Sequence, residues 1–232
     1  QHLLYKAANR VAGSFGDRVL ADQLLFTSSG TEANQTVIRS ALKTGATVLI
    51  GSGEHSASYD LLHEATMSVG LLYEIPLLPT GRYDLGQVYN LLSADRSPIR
   101  KERDLKKVLL SLFWANNETG VLNDLSEIEN LLTDLRSKHP DVEFQLHLDG
   151  AQVWGKLPLD LMSTPADYVT FSSHKIGAPA GTGVVWSRKP QSLEALIVGT
   201  QAQGARGGTE NWIGIFATGA AAEVSANATA AQ

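Results

Sequence analysis

Short apolar runs alternate along the chain with longer segments in which apolar residues recur every three or four positions. QLLFT (Gln23–Thr27), TVLIG (Thr47–Gly51), LLYEIPL (Leu71–Leu77), KVLLSLFW (Lys107–Trp114), EFQLHLD (Glu143–Asp149), DYVTFS (Asp167–Ser172) and GVVWS (Gly183–Ser187) predict strands. TEANQTVIRSALK (Thr31–Lys43), SASYDLLHEATMS (Ser56–Ser68), LGQVYNLL (Leu85–Leu92) and LSEIENLLTDLRSK (Leu125–Lys138) predict the helices between them. The alanine-rich end, ATGAAAEVSANATAAQ, predicts a helix followed by a fraying terminus. Strand–helix alternation implies right-handed βαβ crossovers and a mostly parallel seven-stranded sheet covered on both faces, a three-layer α/β/α domain. Ligands of such sheets collect at the carboxyl ends of the strands.

Composition narrows the classes of function. With 232 residues, 43% hydrophobic and 19% charged, the chain can bury a substantial core and is too apolar for disorder. A net charge of −5, with no basic cluster carrying interleaved aromatics, argues against a nucleic-acid partner. The charged run from Arg96 to Lys107 mixes both signs and predicts a solvated connection. There are no cysteines, which excludes disulfides, thiolate-bound metals and a cysteine nucleophile within these residues. The start, QHLLYKAANRVAG, is amphipathic rather than a signal core, and no segment is long and apolar enough to span a bilayer. A cytoplasmic protein without a membrane partner is the expectation.

Several stretches carry candidate chemistry. FTSSGTEANQ follows a strand, turns through Gly30 and opens a helix at Thr31. A helix amino end offers unpaired N–H groups and a positive dipole, and Ser29 and Thr31 add hydroxyls, so this is either a phosphate cradle or an ordinary helix cap. Asp149 ends a strand, where it could cap the next helix, hold a metal or pair with a cationic ring nitrogen. Metal is disfavoured because no second acidic residue or histidine has ligand spacing. His147 falls on the same sheet face as Asp149 and reads as a structural histidine. TFSSHKIGAPAGTG (Thr170–Gly183) places Lys175 between Ser-Ser-His and a glycine-rich turn. The order is wrong for a nucleotide P-loop, and the lysine could be a surface charge, a phosphate partner or a Schiff-base amine.

SGTEAN, NNETG (Asn116–Gly120), LDGAQVWGKLPLDL, SSHKIGAP and RGGTEN (Arg206–Asn211) occur in an order that resembles the fold type I pyridoxal-phosphate enzymes. Within them the chain looks like the class V aminotransferase group, and there the cysteine desulfurases, over roughly Val11 to Glu223. The resemblance implies pyridoxal 5′-phosphate as cofactor, held covalently by Lys175, with Asp149 on the pyridine nitrogen and Gln152 on the phenolic oxygen. It implies Gly30, Thr31, Ser172 and His174 at the phosphate, Asn117 near the ring, and His55 stacked over it as an acid–base group. Thr209 would reach the phosphate of a second subunit, making a homodimer. The implied reaction takes sulfur from L-cysteine to an enzyme cysteine, releases L-alanine, and passes sulfur to an acceptor protein for iron–sulfur clusters or thio-cofactors.

The family's persulfide cysteine and its substrate-carboxylate arginine normally lie downstream of RGGTEN, and its amino-terminal segment precedes the first residues here. The expectation is therefore a cofactor-binding large domain over residues 1–232, without the small domain and unable by itself to desulfurate cysteine. Pro179-Ala180 replaces the more usual Pro-Lys or Pro-Arg, and VGTQAQGA (Val198–Ala205) replaces a glycine-rich, acid-ending stretch. The alternatives are another class V enzyme, such as a selenocysteine lyase or an aminotransferase, or a catalytically silent scaffold.

Overall fold

A computed structural model describes residues 2–65, 72–93, 99, 105–190 and 192–230. Its strands are β1 (Leu24–Thr27), β2 (Thr47–Gly51), β3 (Leu72–Ile75), β4 (Lys107–Phe113), β5 (Glu143–Asp149), β6 (Tyr168–Ser172) and β7 (Gly183–Ser187). They form one seven-stranded sheet in the order β1-β7-β6-β5-β4-β2-β3. From β3 to β6 every pairing is parallel, whereas β7 is antiparallel to both β6 and β1. β1 thus runs with β6, and β7 alone opposes the rest, as a mostly parallel sheet requires. The carboxyl ends of the parallel strands share one edge, which the amino end of β7 joins.

Six helices are described: α1 (His2–Gly13), α2 (Gly30–Lys43), α3 (Ser56–Ala65), α4 (Leu85–Ser93), α5 (Leu125–Lys138) and α6 (Trp212–Ala230). Successive strand side chains alternate between two faces. Val48, Ile50, Leu109 and Val185 pack with Val37, Ile38 and Leu61 of α2 and α3. Leu49, Leu110, Leu146, Phe171 and Trp186 face the opposite layer, with Val11, Val88, Leu132 and Ala222 of α1, α4, α5 and α6. α5 shows how the pattern becomes structure: Ile128, Leu132 and Leu135 fall on one stripe and are buried, and the Asp124 carboxylate caps the helix by accepting the Ser126 N–H at 2.9 Å. α1 and α6 meet through small residues: a side chain at Gly219 would stand 3.0 Å from the Ala7 carbonyl oxygen.

The boundaries differ from the sequence pattern in a few places. β3 stops at Ile75 because Pro76 has no N–H for a ladder, and Leu77 makes only an isolated bridge to Tyr83. α6 begins at Trp212, upstream of the alanine-rich stretch. The expected end of α3 to Ser68, Leu71, most of the Arg96–Lys107 run and the terminal residues 231–232 lie outside the described residues. No described helix is long and apolar enough to cross a membrane.

Candidate active site

A cleft of about 280 Å³ opens at the shared carboxyl edge, close to the lower end of the ~300–1,000 Å³ usual for small-molecule sites. Each wall comes from the segment that follows a strand: Ser29–Thr31 after β1, His55 after β2, Asn117 after β4, Gln152 after β5, and His174 and Lys175 after β6. A larger cleft of about 530 Å³ lies between α1, α6 and the Trp154–Asp160 segment. Of its ionic groups, Asp17, Arg18 and Asp160, the last two pair with each other at 2.8 Å. The convergent chemistry is in the smaller cleft.

One end of it is the amino end of α2. Ser29 caps the helix, its Oγ accepting the Glu32 N–H at 3.1 Å and its carbonyl accepting the Ala33 N–H at 3.0 Å. The first N–H groups of a helix have no intrahelical acceptor, so those of Gly30 and Thr31 remain for a ligand at the positive end of the dipole. The cap and the cradle are thus two uses of the same turn. Two glycines bring it against the sheet. A Cβ on Gly30 would stand 2.9 Å from the Ser172 Cβ, and one on Gly183 would stand 2.2 Å from the Ser29 carbonyl oxygen. Ser172 is buried at the end of β6 and meets His174 Nδ1 through its Oγ at 3.0 Å. Arg206 locks the turn from outside. Its Nε and Nη2 donate to the Glu32 carboxylate at 2.5 and 3.2 Å, and Ser28 donates to the same carboxylate. Burial alone would raise the Glu32 pKa, but the hydrogen bonds from Arg206 and Ser28 outweigh it and hold the group below its usual range.

Asp149 stands at the tip of β5, deeper in the cleft. Its Oδ1 accepts the Ala151 N–H at 2.9 Å, and its Oδ2 accepts the Asn34 side-chain N–H at 2.7 Å. Behind it, Asn34, Thr170, His147 and Ser111 are all buried and linked by hydrogen bonds beneath α2. His147 lies on the same face as Asp149, as β-strand alternation predicts. Both of its ring nitrogens are satisfied within the protein, and burial pushes its pKa down to about 3. Glu54, adjacent to His55, is a buried acid. Its Oε1 accepts from the Tyr83 hydroxyl and the Phe113 N–H. Burial first, and the Asp149 charge second, hold its pKa well above the carboxylate range.

Lys175 sits on a 3₁₀ turn, Ser173–Ile176, that ends at Gly177 with φ of +87°, a conformation that favours glycine. Among the described residues no hydrogen bond or ion pair engages its amine, and the residue lines the cleft together with the helix end and Asp149. His55 and Asn117 line the cleft from exposed loops. Asn116 builds the second of these, its Oδ1 accepting the N–H groups of Glu118 and Thr119 at 2.9 Å each. Gln152 also lines the cleft and is held by Lys156 Nζ. Thr209 is exposed and stands apart from these walls. Asn34, Thr170 and Glu54 were not singled out by sequence reasoning. The period-two pattern of β6 places Thr170 on the face of Ser172, which was the available signal.

The description "Aminotransferase class-V" fits residues 4–232 of this chain. The chain belongs to the class-V aminotransferase family. It is 34% identical over 205 residues to the cysteine desulfurase NifS of Azotobacter vinelandii, covering 87% of this chain and 46% of that protein. It is also 34% identical over 234 residues to a cysteine desulfurase of Rhodobacter capsulatus, covering 99% of this chain and 56% of that protein. Among solved structures, a NifS-like protein superposes with a TM-score of 0.82 at 26% identity, over 99% of this chain and 60% of the other. The chain therefore spans about half the length of the curated relatives it matches. The family's cofactor is pyridoxal 5′-phosphate. The site fits it: free helix N–H groups suit its phosphate, Asp149 suits its ring nitrogen, and a lysine with an unengaged amine lines the same cleft. Among the described residues no group of acidic or histidine side chains could hold a metal.

Proposed function

We propose that the protein is a pyridoxal-phosphate-dependent cysteine desulfurase, moving sulfur from L-cysteine to an enzyme cysteine outside these residues and leaving L-alanine. The observation that carries the reading is the convergence of Lys175, Asp149 and the α2 amino end on one cleft. The desulfurase names of the relatives indicate the substrate. In this reading residues 1–232 are the cofactor-binding large domain. The N–H groups of Gly30 and Thr31 hold the phosphate, with Ser172 and His174 beside them. Asp149 accepts a hydrogen bond from the protonated ring nitrogen and keeps that proton in place. Gln152 donates to the phenolic oxygen, and Asn117 contributes at the ring and substrate. Lys175 is the covalent anchor and, once displaced, an amine that moves protons at the substrate carbons. His55 supplies a second acid–base group at the mouth. When bound, the cofactor provides an electron sink for charge developing at the substrate α-carbon. Thr209, exposed and outside the lining of its own cleft, serves the phosphate of a second copy in a homodimer. The sulfur then passes to an acceptor protein that builds iron–sulfur clusters or thio-cofactors.

The test is the visible spectrum of the protein with added pyridoxal phosphate. An absorption band should form, disappear in Lys175→Ala, and change on addition of L-cysteine but not of L-serine. A band that survives Lys175→Ala, or that responds alike to both amino acids, contradicts the assignment.

A further inference from the structure

Ser111, His147 and Thr170 lie on adjacent strands β4, β5 and β6, on the face covered by α2. Ser111 is paired in register with His147, and Asp149 with Thr170. All three polar side chains are at most 1% exposed. They form a polar stripe inside an otherwise apolar layer of Leu109, Val37, Ile38 and Val185. Burying hydroxyls and an imidazole there costs free energy unless each finds a partner. Each does, in a chain: Ser111 Oγ to His147 Nδ1 at 2.9 Å, His147 Nε2 to Thr170 Oγ1 at 3.0 Å, Thr170 Oγ1 to Asn34 Oδ1, and Asn34 Nδ2 to Asp149 Oδ2 at 2.7 Å.

The direction of every link follows from the last one. An ionised carboxylate only accepts, so Asn34 must present its amide N–H to Asp149 and its carbonyl to Thr170. Thr170 then spends its one proton on Asn34 and can only accept from His147. His147 must therefore carry its proton on Nε2 and leave Nδ1 bare, to accept the Ser111 hydroxyl. A neutral ring with this tautomer is required, and burial of His147 favours the neutral form. Asp149's other oxygen is held by the Ala151 N–H, so the carboxylate has two fixed donors and no freedom to rotate.

We propose that Asn34, Thr170 and His147 are positioning residues, a one-way hydrogen-bond relay that orients the Asp149 carboxylate and keeps its charge directed into the cleft. Hydrogen bonds aligned in series polarise one another, so the relay acts on Asp149 from beyond its contact shell. It rests on the cofactor reading of the cleft for its purpose, but its geometry is independent of that reading.

The test has one arm without cofactor. In protein labelled with ¹⁵N-histidine, the His147 resonances, assigned by their loss in His147→Gln, should show a neutral ring protonated at Nε2. Asp149→Asn lifts the acceptor-only constraint three links away from His147, and a measurable Nδ1-protonated population should appear. The other arm uses pyridoxal phosphate itself. Thr170→Val should weaken its binding about tenfold, as expected when buried hydrogen-bond partners are left unsatisfied, and shift the pH midpoint of its visible band. Thr170→Ser should restore both. A charged or Nδ1-protonated His147 in the parent protein, an Asp149→Asn spectrum unchanged at His147, or Thr170→Val with parental affinity and band would each overturn the relay. Failure of the parent protein to take up pyridoxal phosphate would count against the desulfurase reading alone, because the tautomer arm needs no cofactor.

Discussion

Gly183→Ala tests how the sheet sets the cradle. The added methyl would stand 2.2 Å from the Ser29 carbonyl oxygen, 2.3 Å from its carbon and 2.6 Å from Thr27 Oγ1. Ordinary contact begins at 3.4 Å, so the Ser29 turn must retreat by more than an ångström, and it is backbone rather than a flexible side chain. Forcing a methyl into such a space costs about 1–3 kcal/mol. The retreat also strains the Thr27 hydroxyl bond to the Ser29 carbonyl at 2.9 Å and the Ser29 cap on Glu32, a cap being worth about 1 kcal/mol. The sum, about 2–4 kcal/mol, corresponds to a melting temperature roughly 5–15 °C lower for a chain of this size. Because the displaced turn carries Gly30 and Thr31, affinity for pyridoxal phosphate should fall at least about tenfold, whereas Gly13→Ala, with no heavy atom within 4 Å of its new methyl, should leave both unchanged. Thermal unfolding followed by circular dichroism, with cofactor titration followed by absorbance, measures both effects. A Gly183→Ala protein that melts within 2 °C of the parent and binds the cofactor equally would refute the reasoning.

Arg206→Ala should lower stability by about 2 kcal/mol, because it strips two charge-assisted bonds from a Glu32 carboxylate whose side chain is only 11% exposed. Glu32 has a depressed folded pKa, so its contribution is present above the unfolded value near 4.5 and disappears as pH falls through the folded value. Urea unfolding at a series of acidic pH values should show that loss in the parent and a weaker one in Arg206→Ala. His147 acts over a higher window. The unfolded chain protonates this ring below about pH 6.5 while the folded chain resists until about pH 3, so stability should fall with acidification by up to about 1.4 kcal/mol per pH unit. His147→Gln should be less stable at pH 7 and should remove that slope; an unchanged slope would show that the ring is not held neutral. Finally, a chain of 232 residues without cysteine has no thiol to receive sulfur, so purified protein should release no sulfide from L-cysteine beyond that of free pyridoxal phosphate. Robust release would contradict this.

The layers and most element positions were legible because burial on both faces imposes periods of two and of three to four residues on the sequence. Strand direction was legible as mostly parallel, but the one exception was not. β7 reads like its neighbours, and only its pairing with β6 and β1 reveals that it runs the other way. The cleft was partly legible, since the ends of parallel strands must share an edge; Lys175, Asp149, Gln152, His55, Asn117 and the α2 amino end all line it. What stayed hidden depended on partners distant in the chain. Asn34 is 115 residues from Asp149 and Thr170 is 136 from Asn34, so the period-two placement of Thr170 beside Ser172 was the only local hint and the contacts themselves left none. Glu54 follows β2 in a loop, and only its contacts with Tyr83 and Phe113, distant in the chain, bury it.

The central claim is that Lys175 is the covalent anchor of pyridoxal phosphate. Borohydride reduction of the cofactor-treated protein, followed by peptide mass spectrometry, tests it most directly. The account predicts one phosphopyridoxyl modification, on Lys175, at near-stoichiometric yield and absent from Lys175→Ala. Label spread over surface lysines, or an equal yield in Lys175→Ala, would contradict it.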